Sequence, residues 1–134
     1  MKSIYSNIDS TLICNYIHKH EINEYRTDLS PENEILQGCA RILKQDIFIA
    51  PHKHKPLERA TIGTQESWII LEGKVLANIY DIDNTILTEI ELTSGSCIIF
   101  FNGGHSLTVL DNNTLFYEFK NGPYYGYDTD KYNI

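Results

Sequence analysis

Histidine pairs are the residues of this sequence best suited to chemistry, because the tripeptide His-Lys-His occurs twice, at residues 18–20 and 52–54. In a strand, side chains at positions i and i+2 face the same side, so two such imidazoles can bind one metal ion. The second copy directly follows Pro51, which blocks a helix and suits extended backbone. The first copy is followed by no recognisable partner strand, so we expect His18 and His20 to form a solvated surface pair.

A metal ion needs further ligands, and Glu66 and His105, which lie later in the chain, can supply them. Glu66 opens a predicted strand, and His105 follows the turn signal Asn-Gly-Gly at residues 102–104. Three imidazoles and one carboxylate form a borderline donor set that suits Zn, Fe, Mn, Ni or Cu. The sequence therefore offers His52, His54, Glu66 and His105 as candidate ligands of a divalent transition-metal cofactor, with an ordinary pair of histidines at residues 52 and 54 as the alternative.

Length, net charge and cysteine content indicate which classes of protein the chain can belong to. The chain has 134 residues and a formal net charge of −7, which fits one domain with its own core and makes nucleic acid an unsuitable partner. No apolar run approaches the ~18 residues of a membrane helix, so we expect no membrane partner. The three cysteines, Cys14, Cys39 and Cys97, are odd in number and widely spaced. Free thiols and a cytoplasmic location are the expectation.

The elements that must position these ligands are predicted to be strands. From about Ala40, apolar runs alternate with turn residues every 8–12 positions or so, a pattern typical of an all-β sandwich or barrel. The first of these runs, ARILKQDIFIAPH, predicts a strand that ends at Pro51. We expect residues 1–38 to be an N-terminal arm that packs on the barrel and residues 39–134 to be the β domain. The tail GPYYGYDTDKYNI has little strand pattern, so we expect it to be irregular.

Two stretches resemble the signature motifs of the cupin superfamily. In PHKHKPLERATIGTQESWIILEG, a His-x-His pair is followed by Glu66 and, after six residues, by Gly73, as in the first cupin motif. Eleven residues separate His54 from Glu66, more than the motif has. Glu58 lies at the usual distance from His54 and is the rival ligand. We prefer Glu66, because the spacing from Glu to Gly sets the strand and its hairpin.

The second motif is represented by GSCIIFFNGGH, which runs from Gly95 to His105 with Phe101 in place of the motif's proline. ARIL, YDID, GGH and EFKNGPYYGYDTDK resemble corresponding stretches of small single-domain WbuC-like cupins, which are associated with surface-polysaccharide and nucleotide-sugar biosynthesis. The resemblance implies a cupin domain over residues 39–134, a double-stranded β-helix or jelly-roll barrel, with the metal in the barrel mouth. It also implies a homodimer.

A metal in such a barrel can polarise a sugar carbonyl, and isomerisation beside a ketone needs a base and an acid. The candidate catalytic residues are Glu118 and Tyr117. The candidate substrate-binding residues are Arg41, Lys120 and Tyr124. Each has a plainer interpretation, such as an ion pair between Glu118 and Arg41 or Lys120, or core packing of Tyr117.

The predicted function is a metal-dependent isomerase or epimerase acting on a small carbohydrate such as a nucleotide-sugar. The alternatives are an iron-dependent dioxygenase and a non-catalytic sugar-binding cupin.

Overall fold

Antiparallel β-strands make up nearly all of the regular secondary structure in the computed structural model, which describes residues 1–134. The strands are β1 (Lys2–Tyr5), β2 (Leu12–Ile17), β3 (Arg26–Asp28), β4 (Cys39–Arg41), β5 (Glu66–Glu72), β6 (Lys74–Tyr80), β7 (Ile86–Thr93), β8 (Cys97–Phe100), β9 (Gly104–Val109) and β10 (Leu115–Lys120). The prediction of an all-β protein is confirmed.

The strands form three sheets, each antiparallel throughout. A five-stranded sheet, here called the large sheet, has the order β1-β2-β8-β5-β10. A three-stranded sheet, the small sheet, has the order β7-β6-β9, and β3 pairs with β4 alone. A hairpin joins β6 to β7 within the small sheet, whereas Gly73 alone connects β5 of the large sheet to β6 of the small sheet.

The two larger sheets pack on each other through alternate side chains. Along β6, Val75, Ala77 and Ile79 are fully buried, while the residues between them are partly exposed. This alternation is the two-residue period of a strand with one face toward the core. The same apolar cluster includes Trp68 and Ile98 of the large sheet, so the core lies between the two sheets.

Residues 1–38 contribute to this architecture in two ways. They supply β1 and β2 of the large sheet, and the chain after β2 packs over the outer face of that sheet. There Leu29 joins Ile99 and Phe101 in a second apolar cluster. The side chain of Asn15 on β2 donates a hydrogen bond to the Leu29 carbonyl at 2.8 Å, which ties the arm to the sheet.

The strand predicted up to Pro51 is wrong beyond Arg41. β4 ends at Arg41, residues 42–65 contain no regular secondary structure, and every residue from 41 to 64 is exposed. Alternation can place side chains on two faces, but a strand also needs a neighbouring strand to satisfy its backbone N–H and C=O groups. Here β4 pairs with β3 alone, and the sequence after it pairs with no strand.

Helices are few and short. A single 3-10 turn covers Lys19–Glu21, and the tail that was expected to be irregular contains one helical turn, α1, at Tyr127–Asp130. No helix in the structure combines the length and the apolar character needed to cross a membrane.

Candidate functional site

Glu66 and His105 are brought together at one end of the core, although they come from different sheets. Glu66 is the first residue of β5, on the same face as the buried Trp68 and Ile70. His105 is the second residue of β9 and pairs with the fully buried Ile79 of β6, so its side chain also faces the core. His105 Nε2 lies 3.3 Å from Glu66 Oε1. Two of the four predicted metal ligands are therefore in direct contact.

Aromatic side chains hold this pair in place. Trp68 Nε1 donates a hydrogen bond of 2.7 Å to the same oxygen of Glu66, which is only 7% exposed. The His105 ring stacks on Phe100 with 4.1 Å between ring centroids, and the Trp68 ring meets it edge-on at 5.2 Å. The carboxylate and the imidazole are thus positioned by packing on two sides, as a preorganised site requires.

The protonation state of Glu66 follows from its surroundings. Burial raises the pKa of Glu66, but the contacts with His105 and Trp68 and the charge of Lys131 lower it more, so the net pKa lies below the usual range. Glu66 is therefore a carboxylate at neutral pH. When the Nε2–H group of a neutral imidazole donates a hydrogen bond to this carboxylate, Nδ1 is the ring nitrogen left to accept a proton.

The pair lies in a pocket of about 760 Å³. Its walls come from residues just before β5, from the turns at residues 81–84 and 103–105, and from the C-terminal residues 121–134. Only three of the eighteen lining residues are hydrophobic, so the pocket suits a polar ligand better than the mostly apolar pockets that bind drug-like molecules. Lys131 also lines the pocket and supplies a positive charge near Glu66.

An ion pair fastens the C-terminal tail to the pocket rim. Lys120 Nζ on β10 lies 2.7 Å from Asp130 Oδ2, and Thr64 donates to the other carboxylate oxygen at 3.2 Å. The hydrogen bond between them raises the pKa of Lys120 and lowers that of Asp130. The Lys120 ammonium also lies 4.4 Å from the centre of the Tyr124 ring. These contacts hold two predicted substrate-binding residues, Lys120 and Tyr124, beside the tail.

The other two predicted metal ligands lie elsewhere. His52 and His54 are exposed, with their rings 5.4 Å apart, and His52 Nδ1 contacts the carbonyl of Ala50 at 2.9 Å. The rival ligand Glu58 is exposed in the same stretch. No group of three or more His, Cys, Asp or Glu side chains in the structure could hold a metal. Of the four predicted metal ligands, only Glu66 and His105 lie close together in this arrangement. The four-ligand site therefore stays a prediction.

The predicted catalytic residues lie on β10 but not in the pocket lining. Glu118 pairs with Trp68 across the strands and so faces the core side, whereas Tyr117 faces outward and is 55% exposed. Arg41 donates a hydrogen bond to the Tyr25 hydroxyl at 2.9 Å and stacks on that ring. Arg41 is therefore not the partner of Glu118.

Sequence reasoning named Tyr124 from the tail but missed Asp130 and Lys131. Asp130 and Lys131 line the pocket, together with Thr64 just before β5. The signals that could have found them were the charged run Asp-Thr-Asp-Lys at residues 128–131 and the resemblance of EFKNGPYYGYDTDK to small cupins. Nothing in that run indicates that it returns to the start of β5.

No protein-family model matches the sequence, and comparisons with curated proteins and with solved structures gave no significant match. The class of this protein is therefore described by its fold and by the geometry of the pocket alone. The chain is a small antiparallel β protein with a buried carboxylate–imidazole pair in a polar pocket. Because a fold alone does not determine function, the function is argued from this pair.

Proposed function

We propose that the chain is an isomerase or epimerase of the cupin type that acts on a small polar carbohydrate bound beside Glu66 and His105. The observation that carries this proposal is the 3.3 Å contact between a 7% exposed carboxylate and an imidazole within a polar pocket. Two packed antiparallel sheets are compatible with a jelly-roll barrel. A pocket at one end of such a core is a usual place for a ligand.

The pair can perform proton transfer beside a carbonyl group. His105 Nδ1 accepts the proton from the carbon next to the sugar carbonyl, the C–H electron pair forms the C=C bond of an enediolate, and the π electron pair of the carbonyl moves to its oxygen. Glu66 stabilises the resulting imidazolium, and the Lys131 ammonium stabilises the negative oxygen. In an isomerisation, the imidazolium returns the proton to the neighbouring carbon, and the hydroxyl proton moves to the former carbonyl oxygen through water. In an epimerisation, water protonates the opposite face of the same carbon, and the imidazolium releases its proton to solvent.

The charges around the pocket indicate which part of a substrate would bind there. Glu66, Asp81 and Asp130 line it, and Lys131 is the only Lys or Arg among the lining residues. Carboxylates and the amides of Asn84 and Asn121 suit sugar hydroxyl groups, whereas a diphosphate would meet like charge. For a nucleotide-sugar, we therefore place the sugar inside the pocket and the nucleotide outside it.

A divalent transition metal is a separate proposal for the same residues, because a His105 nitrogen that binds a metal cannot also serve as the base. When bound, the metal would polarise the substrate carbonyl. Glu66 and His105 are in contact, while His52 and His54 lie in the exposed stretch that ends at the pocket rim. Since the present arrangement does not gather all four side chains, no step of the reaction is assigned to the metal.

The test of catalysis is deuterium exchange in D2O, followed by proton NMR on aldoses, ketoses and 4-keto nucleotide-sugars. Wild-type protein should exchange the hydrogen beside the carbonyl of at least one of them. His105→Ala should slow the exchange by about 10²-fold or more, the usual contribution of a general base. Glu66→Gln keeps the size of the side chain but removes its charge, and should slow the exchange too.

His20→Ala is the matched control, because it removes an exposed imidazole from the first His-Lys-His copy and should leave the exchange rate unchanged. Equal rates in wild type and His105→Ala would contradict the proposed role of His105. Sugar binding without exchange, seen as chemical-shift changes around His105, would replace the enzyme with a non-catalytic sugar-binding protein.

Elemental analysis tests the metal separately. Wild type expressed with Zn, Fe, Mn and Ni salts should carry one of these metals, and the double variant His52→Ala/His54→Ala should lose it. The double variant His18→Ala/His20→Ala should retain it. Loss in both variants, or a metal-free wild type, would remove the metal from the proposal without affecting the exchange test.

A further inference from the structure

A second cavity, of about 520 Å³, lies beside the pocket that holds Glu66 and His105. Its walls come from residues 32–37, which lie between β3 and β4, and from residues 59–61, which lie before β5. Thr61 lines both spaces, so the second cavity is continuous with the pocket. The proposed reaction gives this cavity no role.

A buried glutamine connects the two spaces. Gln65 is 6% exposed, and its side-chain Nε2 donates a hydrogen bond of 2.5 Å to Oε2 of Glu34, which lines the second cavity. Its backbone N–H donates at 2.7 Å to Oδ1 of Asn121, which lines the pocket. Its own Oε1 accepts from the Leu36 N–H at 2.8 Å. Because these bonds are satisfied within the chain, they fix the position of the second cavity relative to the pocket.

The second cavity offers both donors and acceptors of hydrogen bonds. The Arg59 guanidinium and the Asn33 amide line it and make no hydrogen bond or ion pair with the rest of the chain. Glu32 and Glu34 also line it, and only two of its eight lining residues are hydrophobic. A sugar hydroxyl group both donates and accepts hydrogen bonds. The mixed set of free polar groups therefore matches the hydroxyl groups of a sugar.

The same residues suit a nucleotide poorly. Among the side chains that line the second cavity, two carboxylates, Glu32 and Glu34, face a single cation, Arg59. A phosphate group would meet an excess of like charge there. No aromatic side chain lines this cavity, so it has no ring on which a nucleobase could stack. The cavity therefore favours an uncharged sugar over the nucleotide part of a nucleotide-sugar.

We propose that the second cavity is a subsite for a second sugar unit, so that the ligand of the combined site is an uncharged oligosaccharide. The proposal rests on the proposed function in one respect, since it takes the pocket beside Glu66 and His105 as the site of the first sugar. That pocket of about 760 Å³ is itself of a size that holds a drug-sized ligand. A ligand longer than one sugar ring can therefore extend past Thr61 into the second cavity.

The effect of ligand length on affinity tests the second subsite. The probes are three pairs of sugars: glucose and maltose, N-acetylglucosamine and chitobiose, and galactose and galactobiose, each titrated into wild-type protein and followed by NMR of the backbone amides. In at least one pair, the disaccharide should bind at least about tenfold more tightly than the monosaccharide. The amide signals of residues 32–37 should shift with that disaccharide and not with UDP.

A pair of double variants shows whether the second cavity causes the difference. Asn33→Ala/Arg59→Ala removes the free amide and the cation of the cavity and should bring the ratio of the two dissociation constants close to one. The matched control, Lys55→Ala/Asn112→Ala, removes a cation and an amide that line neither space, and should keep the wild-type ratio. All four side chains are exposed, so circular dichroism should show both double variants folded.

Four results would overturn the second subsite. None of the disaccharides binds, none binds more tightly than its monosaccharide, Asn33→Ala/Arg59→Ala keeps the wild-type ratio, or UDP shifts the signals of residues 32–37. Failure of the proposed function looks different. Deuterium exchange on a monosaccharide without any gain from the second sugar would keep the proposed function and remove the subsite. Tighter binding of a disaccharide without exchange would remove catalysis and keep the subsite.

Discussion

The two His-Lys-His copies are identical in sequence and opposite in structure. In the first, His18 Nδ1 lies 3.0 Å from the hydroxyl of Ser96, a fully buried residue, and the His18 backbone N–H donates to Glu21 at 2.8 Å. The stem of Lys19 packs against Gly95. In the second, His52 and His54 are exposed and make no hydrogen bond outside their own stretch of chain.

The two copies differ because only the first is preceded by a paired strand and lies against another turn of the chain. The first follows β2, which is paired with β8, and its 3-10 turn closes onto the β7–β8 turn that contains Ser96. The second follows a stretch that has no partner strand. His18 is thus not the solvated side chain that we expected, because a paired strand delivers it to a buried hydroxyl. A histidine pair is free for chemistry only where the surrounding chain leaves it unused.

The largest expected contrast is in proteolysis. Trypsin should cut after Lys53 and Arg59 at least about 100-fold faster than after Lys19, because cutting at Lys19 requires local opening that costs several kcal/mol. Lys55 precedes Pro56 and should resist cleavage. Mass spectrometry of a time course at low protein concentration measures the order of cuts. An early cut at Lys19 would show that the first copy is not anchored.

A second contrast uses two glycines with similar backbone. Gly95 and Gly63 both have positive φ, +80° and +85°, but a Cβ on Gly95 would lie 2.8 Å from Lys19 Cβ, and a Cβ on Gly63 would touch nothing. Gly95→Ala should lower the free energy of unfolding by about 2–3 kcal/mol, and Gly63→Ala by about 1 kcal/mol or less. Urea unfolding measures both. Equal losses would mean that the Lys19 packing contributes nothing.

A third contrast removes the imidazoles. His18→Ala deletes the contact with Ser96 and should lower the free energy of unfolding by about 1 kcal/mol, the usual net value of one hydrogen bond. His54→Ala should change it by less than about 0.5 kcal/mol, as for other exposed residues. A loss in His54→Ala as large as that in His18→Ala would contradict the assignment of structural weight to the first copy.

The smallest expected effect concerns pH. The His18 N–H donates to Glu21 and, with the nearby N-terminal amine, lowers the pKa of Glu21 below its usual range. A depressed carboxyl pKa stabilises the fold above the unfolded-state value, near 4.3, and this stabilisation is lost as pH falls through the folded-state value. Wild type should therefore lose its advantage over Glu21→Gln as pH falls from about 5 to 3.

The matched control for that pH series is Glu58→Gln in the second copy's stretch, where the carboxylate makes no hydrogen bond or ion pair. Its stability should follow wild type across the same range. A pH dependence in Glu21→Gln that matches wild type would show that the hydrogen bond from His18 has no effect on stability.

Local sequence patterns predict the all-β class, the strand that begins at Glu66, and the two candidate residues Glu66 and His105. These follow from local rules, since a two-residue alternation and the intervening turn residues are set by neighbours in the chain. Alternation also placed Glu66 on the same face as Trp68, which the structure has.

The residues that meet in space are set by the tertiary fold and are not visible in the sequence. The Glu66–His105 contact depends on the packing of β5 against β9 across two sheets, and the capture of Asp130 by Lys120 depends on the path of the tail. The strand predicted across residues 42–51 did not form in the single chain, because alternation describes the faces of a strand and says nothing about a partner for its backbone. Contacts between distant parts of a chain depend on the packing of the whole core, so a local sequence pattern does not predict them.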